Sequence, residues 1–171
     1  IMGCASQNKP IQFEEKGAKF VIGTAGKKKL LDNLEKQGEM LFEEQDIALL
    51  AVGSMVSTAE HIRDKLKARG FQCSLANGRF VKPFDARLVD RLAHGHTRIV
   101  TLEENVLQGG YGLAVTAYIH RRYPQIRVMN VALPDAYVEH GNVSVLRAEL
   151  GIDSDSIIRR LEAEGFLEDK T

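Results

Sequence analysis

Two adjacent acids and a cluster of glycines share the stretch TLEENVLQGGYGLAV, residues 101–115: Glu103, Glu104 and Asn105, then Gly109, Gly110 and Gly112. Paired carboxylates suit acid–base work or a cation, and a glycine-rich turn running into a helix suits a phosphate. The spacing argues against a dinucleotide, because these glycines miss the G-x-G-x-x-G pattern that brings a backbone against a pyrophosphate. Charge argues against any phosphate, since both acids would repel it. A carboxylate could itself occupy the terminus of a helix beginning near Tyr111, leaving the glycines as a tight strand-to-helix turn that needs positive φ or close packing. His140, in VEHG, is placed after a strand, at the edge where open α/β sheets hold ligands, although a histidine in a surface turn satisfies the same pattern.

Other motifs carry less. GTAGKKK, residues 23–29, lacks the four-residue gap of a phosphate-binding loop and reads as a solvated lysine cluster. The His94 and His96 pair has one intervening residue and no acid alongside, so it reads as a helix end complementing the dipole. Ser54, Ser57 and Thr58 have no accompanying histidine motif, and AVGSM lacks the second glycine of a nucleophile elbow. Cys73 lies in an apolar strand, where it reads as a small buried hydrophobe.

The elements that must position these residues follow from hydrophobic period. DIALLAVGS is a continuous apolar run, the pattern of a strand buried on both faces. Ser57 and Glu60 form a capping box for a helix carrying Ala59, Ile62 and Leu66, which Gly70 stops. FQCSLANGRF gives a second strand, and GEMLFEE reads as a short strand leading into the domain. Asp85 caps a helix carrying Leu88, Val89 and Leu92. TRIVTLE and IRVMNVA are the third and fourth core strands. The helix between them buries Tyr111, Val115, Tyr118 and Ile119, and Arg121 and Arg122 suit its negative end. Two last helices follow, one carrying Val143, Leu146 and Leu150 up to Gly151 and one, capped by Ser154, carrying Ile157, Ile158 and Leu161 up to Gly165. Alternation of this kind predicts a three-layer α/β/α domain with a mostly parallel sheet of about five strands over residues 38–171. Residues 1–37, with a short amphipathic turn at Leu30, Leu31 and Leu34, read as an extension or linker remnant.

Bulk properties exclude several classes. With 23 basic and 23 acidic residues the chain has no net charge, which argues against nucleic-acid and membrane-surface partners. Two distant cysteines, Cys4 and Cys73, give neither a zinc site nor a disulfide scaffold and point to a reducing, cytoplasmic setting. No apolar run approaches membrane-spanning length, and the first residues lack the apolar stretch of a signal peptide. Ile1 ahead of Met2 reads as a piece of something longer.

DIALLAVGSMVSTA, NGRFVKPFD, IVTLEENVLQGGYG, NVALPDAYVEHG and LRAELGID, in this order and spacing, resemble the C-terminal domain of the 1-deoxy-D-xylulose-5-phosphate synthases. These enzymes are similar to transketolase and the pyruvate dehydrogenase β subunit. The resemblance covers residues 38 to about 160 and does not extend to residues 1–37. It implies a parent transferase that uses thiamine diphosphate and Mg²⁺ to decarboxylate pyruvate and join the two-carbon unit to glyceraldehyde 3-phosphate, feeding isoprenoid, thiamine and pyridoxal synthesis. The preceding two domains hold the cofactor in that family. Neither the metal-binding Gly-Asp-Gly motif nor the activating glutamate is in this chain, so no catalytic, cofactor or metal residue is assigned and the chain alone is expected to be inactive. The implied partners are those two domains and a second subunit. On this view Glu103, Glu104 and Asn105 hydrogen-bond across a domain or subunit boundary, while Gly109, Gly110 and Gly112 let the next helix pack close. The alternative is a regulatory module on the same fold that binds a small metabolite at the strand ends near Glu103 and His140.

Overall fold

The computed structural model describes residues 11–15, 18–22 and 38–167. The chain divides into two compact units, Ile1–Lys36 and Gln37–Thr171. In the first, β1 (Ile11–Glu15) and β2 (Ala18–Ile22) form a two-stranded antiparallel sheet with Phe13 opposite Phe20. Aromatic and β-branched residues favour that pairing. The lysine cluster and the leucine turn expected at residues 23–34 lie outside the described residues, as does most of the stretch read as an extension.

The second unit runs β3 (Glu39–Phe42), β4 (Ile47–Ala51), α1 (Met55–Ala68), β5 (Cys73–Asn77), α2 (Ala86–Gly95), β6 (Arg98–Val106), α3 (Tyr111–Arg122), β7 (Arg127–Leu133), α4 (Val143–Glu149) and α5 (Ser154–Ala163). Its sheet has the order β3-β5-β4-β6-β7, with β3 antiparallel and the remaining pairs parallel. This is the expected α/β/α domain. All five residues of β4 are buried, because helices cover both faces of the sheet. Odd-numbered Ile47, Leu49 and Ala51 pack with Ile62 and Leu66 of α1 and Leu161 of α5. Even-numbered Ala48 and Leu50 pack with Leu92 of α2 and Val115 of α3. Strand period two thus divides one apolar run between two cores.

Local capping departs from expectation at two helices. Ser57 lies inside α1, whose N-cap is Ser54 with no side-chain cap bond. The chain turns at Gly53, at φ +59°, and enters the helix at once, ahead of the expected box. Asp153, not Ser154, caps α5 and accepts from the N–H groups of Asp155 and Ser156. A carboxylate serves two orphan donors and complements the helix dipole, so it outcompetes the neighbouring hydroxyl. Asp85 caps α2 as expected and also accepts from Gly38 N–H at 2.9 Å. The second core strand is shorter than its apolar run, five residues ending at Asn77. The expected helix carrying Val143 and Leu146 forms as α4, with Leu150 just past its end packed against the core. None of its residues is buried, and Val143 is 61% exposed.

Candidate functional site

From β4 the chain crosses through α1 to β5 on one side, then returns over β4 through α2 to β6 on the other. Strand order therefore reverses between β4 and β6, and the loops leaving their carboxyl ends diverge to opposite faces. In open α/β sheets such a reversal opens a crevice. Here it is a cavity of about 320 Å³ lined by Val52, Gly53, Ser54, Arg79, Val81, Glu103, Glu104 and Asn105.

Glu103 and Glu104 are consecutive in β6, so they point to opposite faces of the sheet. Glu103 turns toward α3 and is 2% exposed. Its carboxylate accepts from Tyr111 N–H at 2.8 Å and Gly112 N–H at 2.7 Å. Two orphan donors of the first turn are thereby satisfied by a charge that suits the helix dipole. The glycines make this approach possible. A Cβ on Gly110 would lie 2.5 Å from the Val106 carbonyl oxygen and 2.7 Å from both Glu103 oxygens. One on Gly112 would lie 2.5 Å from Thr101 Oγ1 and 2.7 Å from Asn130 Oδ1. Gly109 is needed for conformation, at φ +74°. Beneath the turn, Asn130 Oδ1 accepts from Thr101 at 2.6 Å and Thr116 at 3.0 Å. Burial raises the Tyr111 phenol well above its usual range, with Asp85 and Glu103 adding to the shift.

Glu104 turns toward α1. The Arg147 guanidinium of α4 grips it through Nε and Nη2, each at 2.9 Å, and the Ser54 hydroxyl donates to the same carboxylate. Those bonds, Arg147's first and then Ser54's, hold the Glu104 carboxyl below the ordinary carboxylate range, against a small opposing effect of burial. Arg147 is raised in turn, chiefly by its bond to Glu104. The Ser54 hydroxyl that could have capped α1 is thus engaged elsewhere. Asn105 is exposed at the cavity wall.

The structure gathers Glu103, Glu104 and Asn105 around the cavity and sets Gly110 and Gly112 beneath the start of α3. His140 is in the exposed loop after β7 and is not among the residues lining this cavity. The histidine pair at the end of α2 bonds to backbone: His94 Nδ1 lies 2.6 Å from the Asp90 carbonyl and buried His96 Nδ1 lies 2.9 Å from that of Leu92. Sequence reasoning missed Arg147, 43 residues from its partner in the chain, and Arg79, whose backbone is left-handed at φ +55°. Nothing in local spacing points to Arg147. Arg79, following Asn77 and Gly78, carried a turn signal that was readable.

The arrangement does not fit Mg²⁺ or a diphosphate. Both oxygens of Glu103 are taken by backbone N–H groups, Glu104 is neutralised by Arg147, and among the described residues no group of three or more metal-ligating side chains occurs. Among the described residues no helix is long and apolar enough to cross a membrane.

Residues 36–157 match the family described as transketolase, C-terminal domain. The chain is 39% identical over 126 residues to a 1-deoxy-D-xylulose-5-phosphate synthase of Lachnoclostridium phytofermentans, which covers 73% of this chain and 20% of the synthase. A synthase of Heliobacterium modesticaldum is 40% identical over 123 residues, 72% of this chain and 19% of that protein. The chain therefore spans about a fifth of the length of these relatives. Among solved structures, a split-gene transketolase in an inactive beta4 tetramer aligns with a TM-score of 0.67 at 27% identity, covering 74% of this chain and 40% of that one. A mutant transketolase from Pichia stipitis shares the fold, with a TM-score of 0.53 at 13% identity over 75% of this chain and 18% of that one.

Proposed function

Since the chain belongs to the transketolase C-terminal domain family, we propose that it serves as the C-terminal domain of a cytoplasmic, homodimeric 1-deoxy-D-xylulose-5-phosphate synthase. Within that enzyme it supports and docks the catalytic domains without touching the reacting atoms. The parent would use thiamine diphosphate and Mg²⁺ to condense pyruvate with glyceraldehyde 3-phosphate, releasing CO2, at the head of isoprenoid, thiamine and pyridoxal synthesis. Residues 38–171 form the docking domain, and residues 1–37 are its extension.

One observation carries this reading. Among the described residues, six of the seven exposed large apolar ones, Val81, Leu107, Leu113, Tyr137, Val143 and Val145, follow the carboxyl end of a parallel strand; the seventh, Phe42, ends the antiparallel edge strand β3 under the Arg63 guanidinium, and Tyr137 is the most open at 91% exposed. Apolar surface concentrated on one edge of a domain marks a contact with other protein. Glu104, Asn105 and His140 belong to the same edge and would supply polar contacts around it, while Glu103 and the glycines fix the shape beneath.

The purified chain, given pyruvate, glyceraldehyde 3-phosphate, thiamine diphosphate and Mg²⁺, is expected to form no product; turnover would refute the docking role. Glu104→Ala in the full-length enzyme should weaken assembly or lower its melting temperature. The switch-point cavity supports a second reading, a regulatory site for a small metabolite. A thermal-shift screen of the chain with isoprenoid phosphates and thiamine diphosphate separates the two, because a ligand that binds the native state raises its melting temperature by mass action.

A further inference from the structure

We propose that the turn Arg79–Lys82 is the polar anchor of this docking edge, and that it receives an acidic side chain flanked by apolar ones on the part of the synthase that this chain does not match. The inference rests on the docking role proposed above and specifies its chemistry. Three observations lead to it.

The first is charge. The acids lining the cavity are already matched, Glu103 by two N–H groups of α3 and Glu104 by Arg147 and Ser54. Arg79 also lines the cavity, but its acidic neighbour Glu39 is 3.9 Å away, at the limit of ion pairing, and both side chains are about half exposed. Lys82, three residues on in the chain, is exposed. Among the described residues, the carboxylate in an ion pair with the Arg79 guanidinium is Glu39, at that long distance, and the guanidinium fork can take a carboxylate in two bonds.

The second is conformation. Arg79 holds a left-handed backbone, which a side chain with a Cβ adopts at a cost that glycine avoids. The geometry is imposed from below. Gly78 packs so closely on the Tyr111 hydroxyl and Val52 that a Cβ there would overlap both, and Arg79 N–H donates to Asn77 Oδ1 at 3.0 Å. The position that glycine would suit best is held instead by an arginine that lines the cavity. A costly residue at an exposed turn is a mark of function.

The third is the surround. Val81 is 48% exposed next to Arg79, and the Arg147 that grips Glu104 continues the surface to Val143. A small metabolite in the cavity has no use for apolar surface outside it, whereas a protein surface does. An arginine set among exposed apolar side chains is the composition of a protein contact.

The test mixes the 171-residue chain with a synthase relative shortened by the fifth that this chain matches, and measures Kd by calorimetry at low and physiological salt. Wild-type chain should bind, more weakly as salt rises. Arg79→Gly should bind about tenfold more weakly, Arg79→Glu more weakly still, and Arg79→Lys should recover part of the affinity. Arg79→Gly should nevertheless melt at or above the wild-type temperature, since glycine relaxes the turn; a structural arginine would give the opposite sign. Unchanged affinity in Arg79→Gly and Arg79→Glu overturns the anchor and leaves the docking role standing. Weaker binding accompanied by a lower melting temperature also overturns it, by assigning Arg79 to the fold. Absence of binding by the wild-type chain overturns the docking role and the anchor with it.

Discussion

The two ends of the parallel sheet are finished differently. At the amino ends, backbone and side chains close on one another. Asp46 N–H donates to the Gln72 carbonyl at 2.9 Å, and Gln72 N–H returns a bond to Asp46 Oδ2 at 2.6 Å. The end of α5 hands its carbonyls to arginines from two strands: Phe166 to Arg98 at 3.1 Å and Gly165 to Arg127 at 3.0 Å. Buried Ile126 and Phe166 complete the seal. At the carboxyl ends the acids Glu103 and Glu104 are equally well matched, yet Val81, Leu107, Tyr137 and Val143 stay in water. Hydrogen bonding alone therefore does not distinguish a closed edge from a docking edge. What separates them here is which end leaves more of its large apolar side chains uncovered.

That contrast is most severely tested where the carboxyl-end edge is itself closed, beneath Glu103. Glu103→Ala should destabilise the chain by about 3 kcal/mol, because it strands two buried N–H groups and removes a charge that complements the helix dipole. Urea unfolding measures it; a loss under about 1 kcal/mol would mean that water can replace the carboxylate and that this end is open throughout.

A pair of glycines sharpens the comparison further. Gly112→Ala forces a Cβ to within 2.5 Å of Thr101 Oγ1, which should cost about 2 kcal/mol even after the gain in helix propensity. Gly95, in the last turn of α2 at the opposite edge, has nothing within 4 Å of such a Cβ. Gly95→Ala should be neutral or stabilise by up to roughly 1 kcal/mol. Opposite signs in melting temperature are expected, and like signs would refute the close packing assigned to the α3 turn.

Much of this was legible from sequence, and what was not has a physical cause. The buried run of β4, the stop at Gly70 and the Asp85 cap are local signals, and they placed the layers correctly. The five-stranded sheet followed from alternation and resemblance together. Period two also implies that Glu103 and Glu104 face opposite ways, which resolves the paired acids into a helix cap and a partner for an arginine. The identity of that arginine was not readable, since Arg147 reaches Glu104 only after β7 and the long loop that follows it. The helix least determined by its pattern is α4, where Leu150 packs against the core while Val143 is exposed. Val143, Leu146 and Leu150 keep a helical apolar spacing, but that period reports an apolar stripe and cannot say whether the same chain or another covers it.

A smaller effect is expected at the join between the edge and α4. The lowered Glu104 carboxyl contributes stability that is present above its unfolded value near 4.3 and is lost as pH falls through the lower folded value. The pair is a third exposed on the Glu104 side, so solvent screening limits it to roughly 0.5–1 kcal/mol. Glu104→Gln and Arg147→Ala should each lose about that much at pH 7 and show a flatter decline between about pH 5 and 3. An unchanged acid limb in both variants would detach α4 from the Glu104 pair.

The smallest effect belongs to the exposed apolar residues of the edge proposed to dock. Tyr137→Ser and Val143→Ser remove large apolar groups, and in a core each would cost several kcal/mol. Here they should change the stability of the chain by less than about 0.5 kcal/mol, because Tyr137 is 91% exposed and α4 buries none of its residues. The same substitutions should weaken binding to the shortened synthase, since the apolar surface they remove is what the partner would cover. Stability and docking thus come apart at these two positions, whereas at Glu103 they should fall together. A loss of more than about 1 kcal/mol in the isolated chain would show that Val143 already packs within it. The carboxyl-end edge would then be as closed as the amino-end one, and the apolar surface assigned to a partner would belong to the fold.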